Sequence, residues 1–155
     1  MHSLNYVICL NNYYRDDAAI RTLLNYADKL HLGLTTGINC SANAPTACHE
    51  FRFVNSYYNK EPARYIRHFA FTSDTIKDEQ QFLHIAYQIG LFFLNDFQVF
   101  IGIHNDTKHL HAHFIMNTVS FRTGKIYNGY YSEKEQMISY VESLGFHVTA
   151  VDNHF

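Results

Sequence analysis

The chain is poor in cysteine, in charge of either sign and in long apolar runs, and it has no tryptophan. Its three cysteines, Cys9, Cys40 and Cys48, are odd in number and irregularly spaced, which excludes a disulfide framework and fits a reducing compartment. No apolar run approaches the roughly 20 residues that a membrane span requires, and the first residues lack the charged-then-apolar pattern of a secretory leader. A soluble, cytoplasmic protein is expected. Twelve Lys and Arg against 14 Asp and Glu give a net charge of −2, so the chain as a whole offers no electrostatic case for nucleic acid and any such case must be local. No Pro- or Ser-rich linker, internal repeat or low-complexity tract divides the 155 residues, and a single domain over residues 1–155 is expected.

What is present is a globular balance, 47% hydrophobic and 17% charged, with a 16% aromatic share made entirely of Tyr and Phe. Residues 5–10 read as a first strand. Asp16 and Asp17 open a helix in which Ile20, Leu23, Leu24 and Ala27 form one apolar stripe, with Tyr26 at its edge, open to solvent. Residues 33–45 read as a surface turn, residues 44–58 as a helix, and residues 65–71 as an alternating strand. The longest helical pattern covers residues 77–97. Residues 98–103 and 110–120 follow as neighbouring strands, and Arg122 to Lys125 has turn chemistry that folds Ile126 and Tyr127 back. A last helix runs from a capping sequence at Ser132 to about Leu144, Gly145 ends it, and residues 147–151 suit a final strand. The order predicts an α+β fold: an antiparallel sheet with helices packed on one face and the other face open.

Residues 104–113 read HNDTKHLHAH and carry the strongest chemical signal. Side chains alternate across a strand, so His111 and His113 share one face while Leu110, Ala112, Phe114 and Met116 take the other. The preceding strand delivers His104 from its end. Three neutral imidazoles leave coordination positions open, which suits a catalytic ion better than a closed structural site with four ligands. His109 has the same parity and is a further candidate ligand. Asp106 is a candidate outer partner, since metal-bound imidazoles donate their second N–H to a carboxylate or carbonyl. The plain alternative is a histidine-rich turn without an ion. Local positive charge comes from Arg64, Arg67, Lys108, Arg122 and Lys125.

Residues 104–120, followed by Thr123, Gly124, Lys125, Ile126 and Tyr127, resemble the signature of plasmid mobilization relaxases of the MobA/MobL type, which are HUH endonucleases. Weaker likeness extends to residues 67–73 and 37–40. The resemblance implies an HUH-endonuclease-like fold and strand-specific DNA nicking and rejoining at an origin of transfer, through a tyrosine that becomes linked to the 5′ phosphate while a 3′ hydroxyl leaves. It implies a divalent ion, Mn²⁺ or Mg²⁺, on His104, His111 and His113. It also implies a nucleophile in the N-terminal helix, here Tyr26 within Asn25, Tyr26, Ala27, Asp28 and Lys29. The spacing from Tyr26 to the lysine is shorter than the usual pattern, and Tyr13 and Tyr14 stand nearby as alternative nucleophiles. Asp106, His109 and His68 are candidate outer-shell or proton-handling groups. Arg67, Lys108, Arg122, Lys125 and Tyr127, with Tyr130 and Tyr131, are candidate contacts for single-stranded DNA, whose unstacked bases suit an aromatic platform. Accessory mobilization proteins and a coupling protein are the implied partners, and the family's larger members carry further domains, which makes this chain a candidate catalytic fragment.

The chemistry is consistent on its own terms. A phenol, with a pKa of about 10, attacks phosphate poorly unless its proton is removed or the developing charge is stabilised, and a divalent ion supplies that stabilisation. Three other readings share these residues. An HUH replication initiator uses the same chemistry at another start site. A metal-dependent phosphodiesterase attacks with bound water and leaves no protein–DNA adduct. A noncatalytic DNA-binding module binds the oligonucleotide without changing its length.

Overall fold

The computed structural model describes residues 5–10, 14–29, 34–129 and 131–150. The chain runs β1 (Asn5–Leu10), α1 (Ala18–Asp28), β2 (Thr35–Ile38), α2 (Ala44–Tyr57), β3 (Ile66–Ser73), α3 (Glu79–Gly90), a single 3₁₀ turn (Leu91–Phe93), β4 (Val99–His104), β5 (Leu110–Asn117), α4 (Tyr131–Ser143) and β6 (Thr149–Ala150). The strands form one sheet in the order β2-β4-β5-β3-β1-β6. The histidine-bearing β5 is therefore central, antiparallel to β4 on one side and to β3 on the other.

The period-2 alternation sorts the strands into two faces. One buries Phe69, Phe71, Val99, Ile101, Ile103, Phe114 and Met116 against Phe82, Ala86 and Ile89 of α3, Phe93, and Met137 and Val141 of α4. The other buries Ile66, Phe100 and Ile115 against Ile20, Leu23, Leu24 and Ala27 of α1 and Ala44, Ala47, Cys48 and Phe51 of α2. Burial of a large apolar side chain contributes about 1.5–3 kcal/mol, so each layer is held by its own set of such groups.

The α+β class and the antiparallel sheet hold, and the helix stripe of α1 is the one expected. The arrangement departs from the sequence pattern in four places. Helices lie on both faces: α1 and α2 cover much of the histidine face, because that face also carries Phe100 and Ile115, which need apolar cover. β6 pairs with β1 in parallel, at Tyr6 with Thr149 and Val7 with Ala150. The expected turn at residues 33–45 contains the edge strand β2, whose only buried residue is Ile38, so its alternation is too faint to read. The expected helix over residues 77–97 is shorter. Asp78 caps it by accepting from the Gln81 amide at 2.8 Å, and it ends at Gly90 before the 3₁₀ turn.

Two glycines are placed by their neighbours. Gly124 has φ +75°, and a Cβ there would meet the Tyr58 ring at 2.5 Å, which fixes the turn that brings Ile126 back beside Val119. Gly102, in β4 opposite His113, lies under α1, where a Cβ would fall 1.9 Å from the Ala27 carbonyl oxygen. Gly102→Ala is expected to destabilise the protein by about 3 kcal/mol or more by forcing α1 off the sheet, as read by chemical denaturation; a change under about 1 kcal/mol would show that α1 is loosely docked.

Candidate metal centre

β4 and β5 deliver the three histidines by register. His104 and His111 are direct partners across the ladder, and His113 lies one pleat further along the same face. One ring nitrogen from each of His104, His111 and His113 falls within 4.8 Å of the others, and these form the one group of three or more His, Cys, Asp or Glu ligand atoms so clustered among the described residues. His104 and His113 are buried and His111 is partly exposed.

Each ring is held by a second contact. His104 Nε2 lies 3.0 Å from the Tyr26 carbonyl oxygen and 3.3 Å from that of Ala27. The ring donates there to carbonyls in the last turn of α1, where helices leave acceptors unpaired, and Nδ1 is the atom left for a ligand role. His111 Nδ1 lies 3.3 Å from both the His109 carbonyl oxygen and Thr107 Oγ1, leaving Nε2. His113 Nδ1 lies 2.8 Å from Nε2 of His68, and its own Nε2 is buried without a hydrogen-bond partner. A buried, unpartnered ring nitrogen is costly unless something fills its lone pair. With three imidazole donors converging, the residues fit a divalent metal ion with open coordination positions.

The surroundings of His104, His113 and His68 favour the neutral imidazole, the form that binds metal. Burial, reinforced by the nearby His68, His104 and His111, pushes His113 down to about 2. Burial, then the neighbouring His104, pushes His68 down to about 4. His104 is lowered mainly by burial. A lowered histidine pKa means that the unfolded chain takes up protons first as pH falls. The metal-free protein is therefore expected to keep full stability above pH 6.5 and to lose it progressively below, the His68 contribution of about 3 kcal/mol being gone by about pH 4 and that of His113 continuing to about pH 2. Denaturation in chelator at pH 7.5 and pH 5 checks this; equal midpoints would show that the buried rings protonate without penalty.

The other expected site residues divide. Tyr26 is 50% exposed, with its ring centroid 5.1 Å from His104, 5.0 Å from His113 and 6.0 Å from His68. The Tyr14 hydroxyl lies 3.4 Å from His68 Nδ1, and Tyr13 lies outside the described residues. Asp106 Oδ2 pairs with Lys29 at 2.8 Å while Oδ1 is 3.7 Å from His111 Nε2. The Lys29 ammonium holds its carboxyl below the usual range, so it serves first as a latch from α1 to the histidine loop. His109 stands apart from the cluster, because β5 starts at Leu110 and the parity argument stops there. Lys108 is exposed in the same loop.

The remaining cations and Tyr127 are not brought to the histidines. Arg67 neighbours His68 in β3 and so faces the opposite side of the sheet, where its guanidinium lies 5.6 Å from the Tyr127 ring. Tyr127, partly buried, packs against Phe93 and Phe97 on the side of the sheet away from the histidines. Arg122 is ion-paired with Asp96 at 2.6 Å, and both it and Lys125 follow β5, beyond its end distant from the histidines. Tyr130 lies outside the described residues, and Tyr131 opens α4. Sequence reasoning missed Thr107, the latch at Lys29 and the close approach at Gly102. The last had a signal, since glycine inside an apolar strand marks a backbone drawing near. It also missed that Asn117 is a bracket, donating to Gln98 Oε1 at 3.0 Å and accepting from the Val119 amide at 3.3 Å.

The central antiparallel strands of the sheet bring three histidines together, two of them spaced His-Ala-His, an arrangement that fits the HUH motif. The chain belongs to the family of MobA/VirD2-like relaxase nuclease domains, whose model matches residues 23–144. That span includes Tyr26 and all three histidines. Neither the curated proteins nor the solved structures give a match. Among the described residues no helix is long and apolar enough to cross a membrane.

Proposed function

We propose that this domain nicks and rejoins one DNA strand at an origin of transfer, in the cytoplasm, with Tyr26 as nucleophile and a divalent ion on His104, His111 and His113. The Tyr26 oxygen attacks the scissile phosphorus, a bond from phosphorus to Tyr26 Oη forms, the bond to the 3′ oxygen breaks, the phenol proton passes to solvent or a neighbouring base, and the 3′ oxygen takes up a proton from solvent to leave as a hydroxyl. One phosphoester replaces another, so the reaction reverses when a 3′ hydroxyl returns. The bound ion supplies Lewis-acid polarisation of the phosphate oxygens and charge stabilisation at the leaving oxygen. The ion is Mn²⁺ or Mg²⁺ by family likeness, and three imidazoles also suit other transition metals better than Mg²⁺, which prefers oxygen ligands.

What carries this reading is the position of Tyr26: half exposed, yet with its ring about 5 Å from two of the three histidines. A phosphate placed over the cluster is then within reach of the hydroxyl without a large rearrangement. Lys108, exposed in the loop between β4 and β5, is the proposed DNA contact carried by the histidine loop, and accessory mobilization proteins and a coupling protein are the partners that such a role needs.

The test is incubation with Mn²⁺ and a labelled single strand carrying the parent element's transfer origin, followed by a denaturing gel and peptide mapping. An adduct on the peptide containing Tyr26 supports the reading. An adduct on Tyr14 moves the nucleophile, cleavage without adduct points to attack by water, and no cleavage on a verified origin points to a binding module.

A further inference from the structure

His68 is the one histidine of the centre that is not a candidate ligand, and its contacts are the most constrained. It is 3% exposed, sits in β3 next to the strand carrying His113, and touches His113 Nδ1 at 2.8 Å through Nε2 and the Tyr14 hydroxyl at 3.4 Å through Nδ1. Tyr14 is itself pinned to the start of β3, its carbonyl accepting from the Tyr65 amide at 2.7 Å. Only one arrangement of protons satisfies this chain with an ion bound. His113 has a single buried nitrogen without a partner, Nε2, and that atom must carry the lone pair to bind metal. Its proton therefore sits on Nδ1 and is donated to His68 Nε2. The proton of His68 is then on Nδ1, directed at the Tyr14 oxygen.

We infer that His68 is the positioning residue of the metal centre: a neutral imidazole that accepts from His113 Nδ1–H, locks His113 in the tautomer that presents Nε2 to the ion, and is itself oriented by Tyr14. A hydrogen bond to the second nitrogen of a liganding histidine normally comes from a carboxylate, carbonyl or water. A neutral ring in that place fixes orientation but adds no negative charge to the site, so the ligand set stays uncharged. The inference rests on the metal-centre reading above.

The experiment is calorimetric titration of the DNA-free protein with Mn²⁺, comparing wild type with His68→Gln, His68→Leu and Tyr14→Phe, and recording the thermal midpoint of each metal-free variant. Glutamine places an amide oxygen near the Nε2 position and keeps an acceptor, whereas leucine removes it. His68→Leu is expected to weaken Mn²⁺ binding about 10–100-fold, the usual effect of losing an outer partner, and His68→Gln to bind within about threefold of wild type. Tyr14→Phe, which loosens His68 only indirectly, should fall between them. Equal weakening in the Gln and Leu variants, or wild-type binding in His68→Leu, overturns the inference, and comparing thermal midpoints separates lost acceptor from lost fold. Failure of wild-type protein to bind Mn²⁺ overturns the metal centre as well. Normal wild-type binding with an indifferent His68→Leu overturns only the role of His68.

Discussion

Replacing Tyr26 with phenylalanine is expected to eliminate the covalent protein–DNA adduct and to lower cleavage by at least about a thousandfold, while affinity for a single-stranded origin oligonucleotide stays within a few-fold. Half of the Tyr26 side chain is open to solvent, so losing one hydroxyl costs the fold little. The ring and its edge-on contacts with His104 and His113 remain in phenylalanine, which leaves the cluster's geometry intact. The nucleophilic oxygen is gone, and removal of a group that acts in concert with its neighbours costs close to the whole of their joint contribution. A denaturing gel reads the adduct, and a filter or anisotropy measurement reads binding. Adduct formation by the phenylalanine variant would transfer the role to another tyrosine, with Tyr14 first in line because its hydroxyl is already at His68.

The second large effect separates two ligands that look equivalent in sequence. His111→Ala is expected to abolish cleavage and to weaken Mn²⁺ binding at least about a hundredfold, more than an outer partner does, with a stability change within about 1 kcal/mol. Its side chain is partly exposed and its hydrogen-bonding contacts are to its own loop, Thr107 and His109. His113→Ala is expected to lose metal and cleavage equally but to destabilise the protein by about 2–4 kcal/mol, since it opens a buried gap and strands His68 Nε2 without its 2.8 Å partner. Denaturation midpoints alongside titration would show the contrast. Equal stability losses would mean that the two rings share one environment.

Much of this centre was legible from sequence because it depends on parity. A two-residue spacing on a strand places His111 and His113 on one face whatever the rest of the chain does, and a 3.6-residue period places Ile20, Leu23, Leu24 and Ala27 under α1 with Tyr26 beside them. What was not legible depends on distance between elements. Nothing in the run of residues 65–71 says that β3 lies next to β5, so the pairing of His68 with His113 appears only with the register. Parity also explains the misplaced cations: Arg67 is adjacent to His68 in sequence and therefore on the opposite side of the sheet. No cue in the sequence places Tyr127 beside Phe93 and Phe97, since tyrosine serves cores and nucleic-acid contacts alike. β2 was hidden because an edge strand with a single buried residue has almost no pattern to show.

The carbonyls at the end of α1 tie two events that could have been independent. The helix that carries Tyr26 also holds His104, through the backbone oxygens of Tyr26 itself and of Ala27, and it is pressed onto Gly102 between them and the sheet. Orientation of the His104 ring and docking of the helix are consequently linked, and linkage is reciprocal. Whatever fastens the His104 ring also holds down the last turn of α1, and whatever lifts that turn releases the contact that orients the ring.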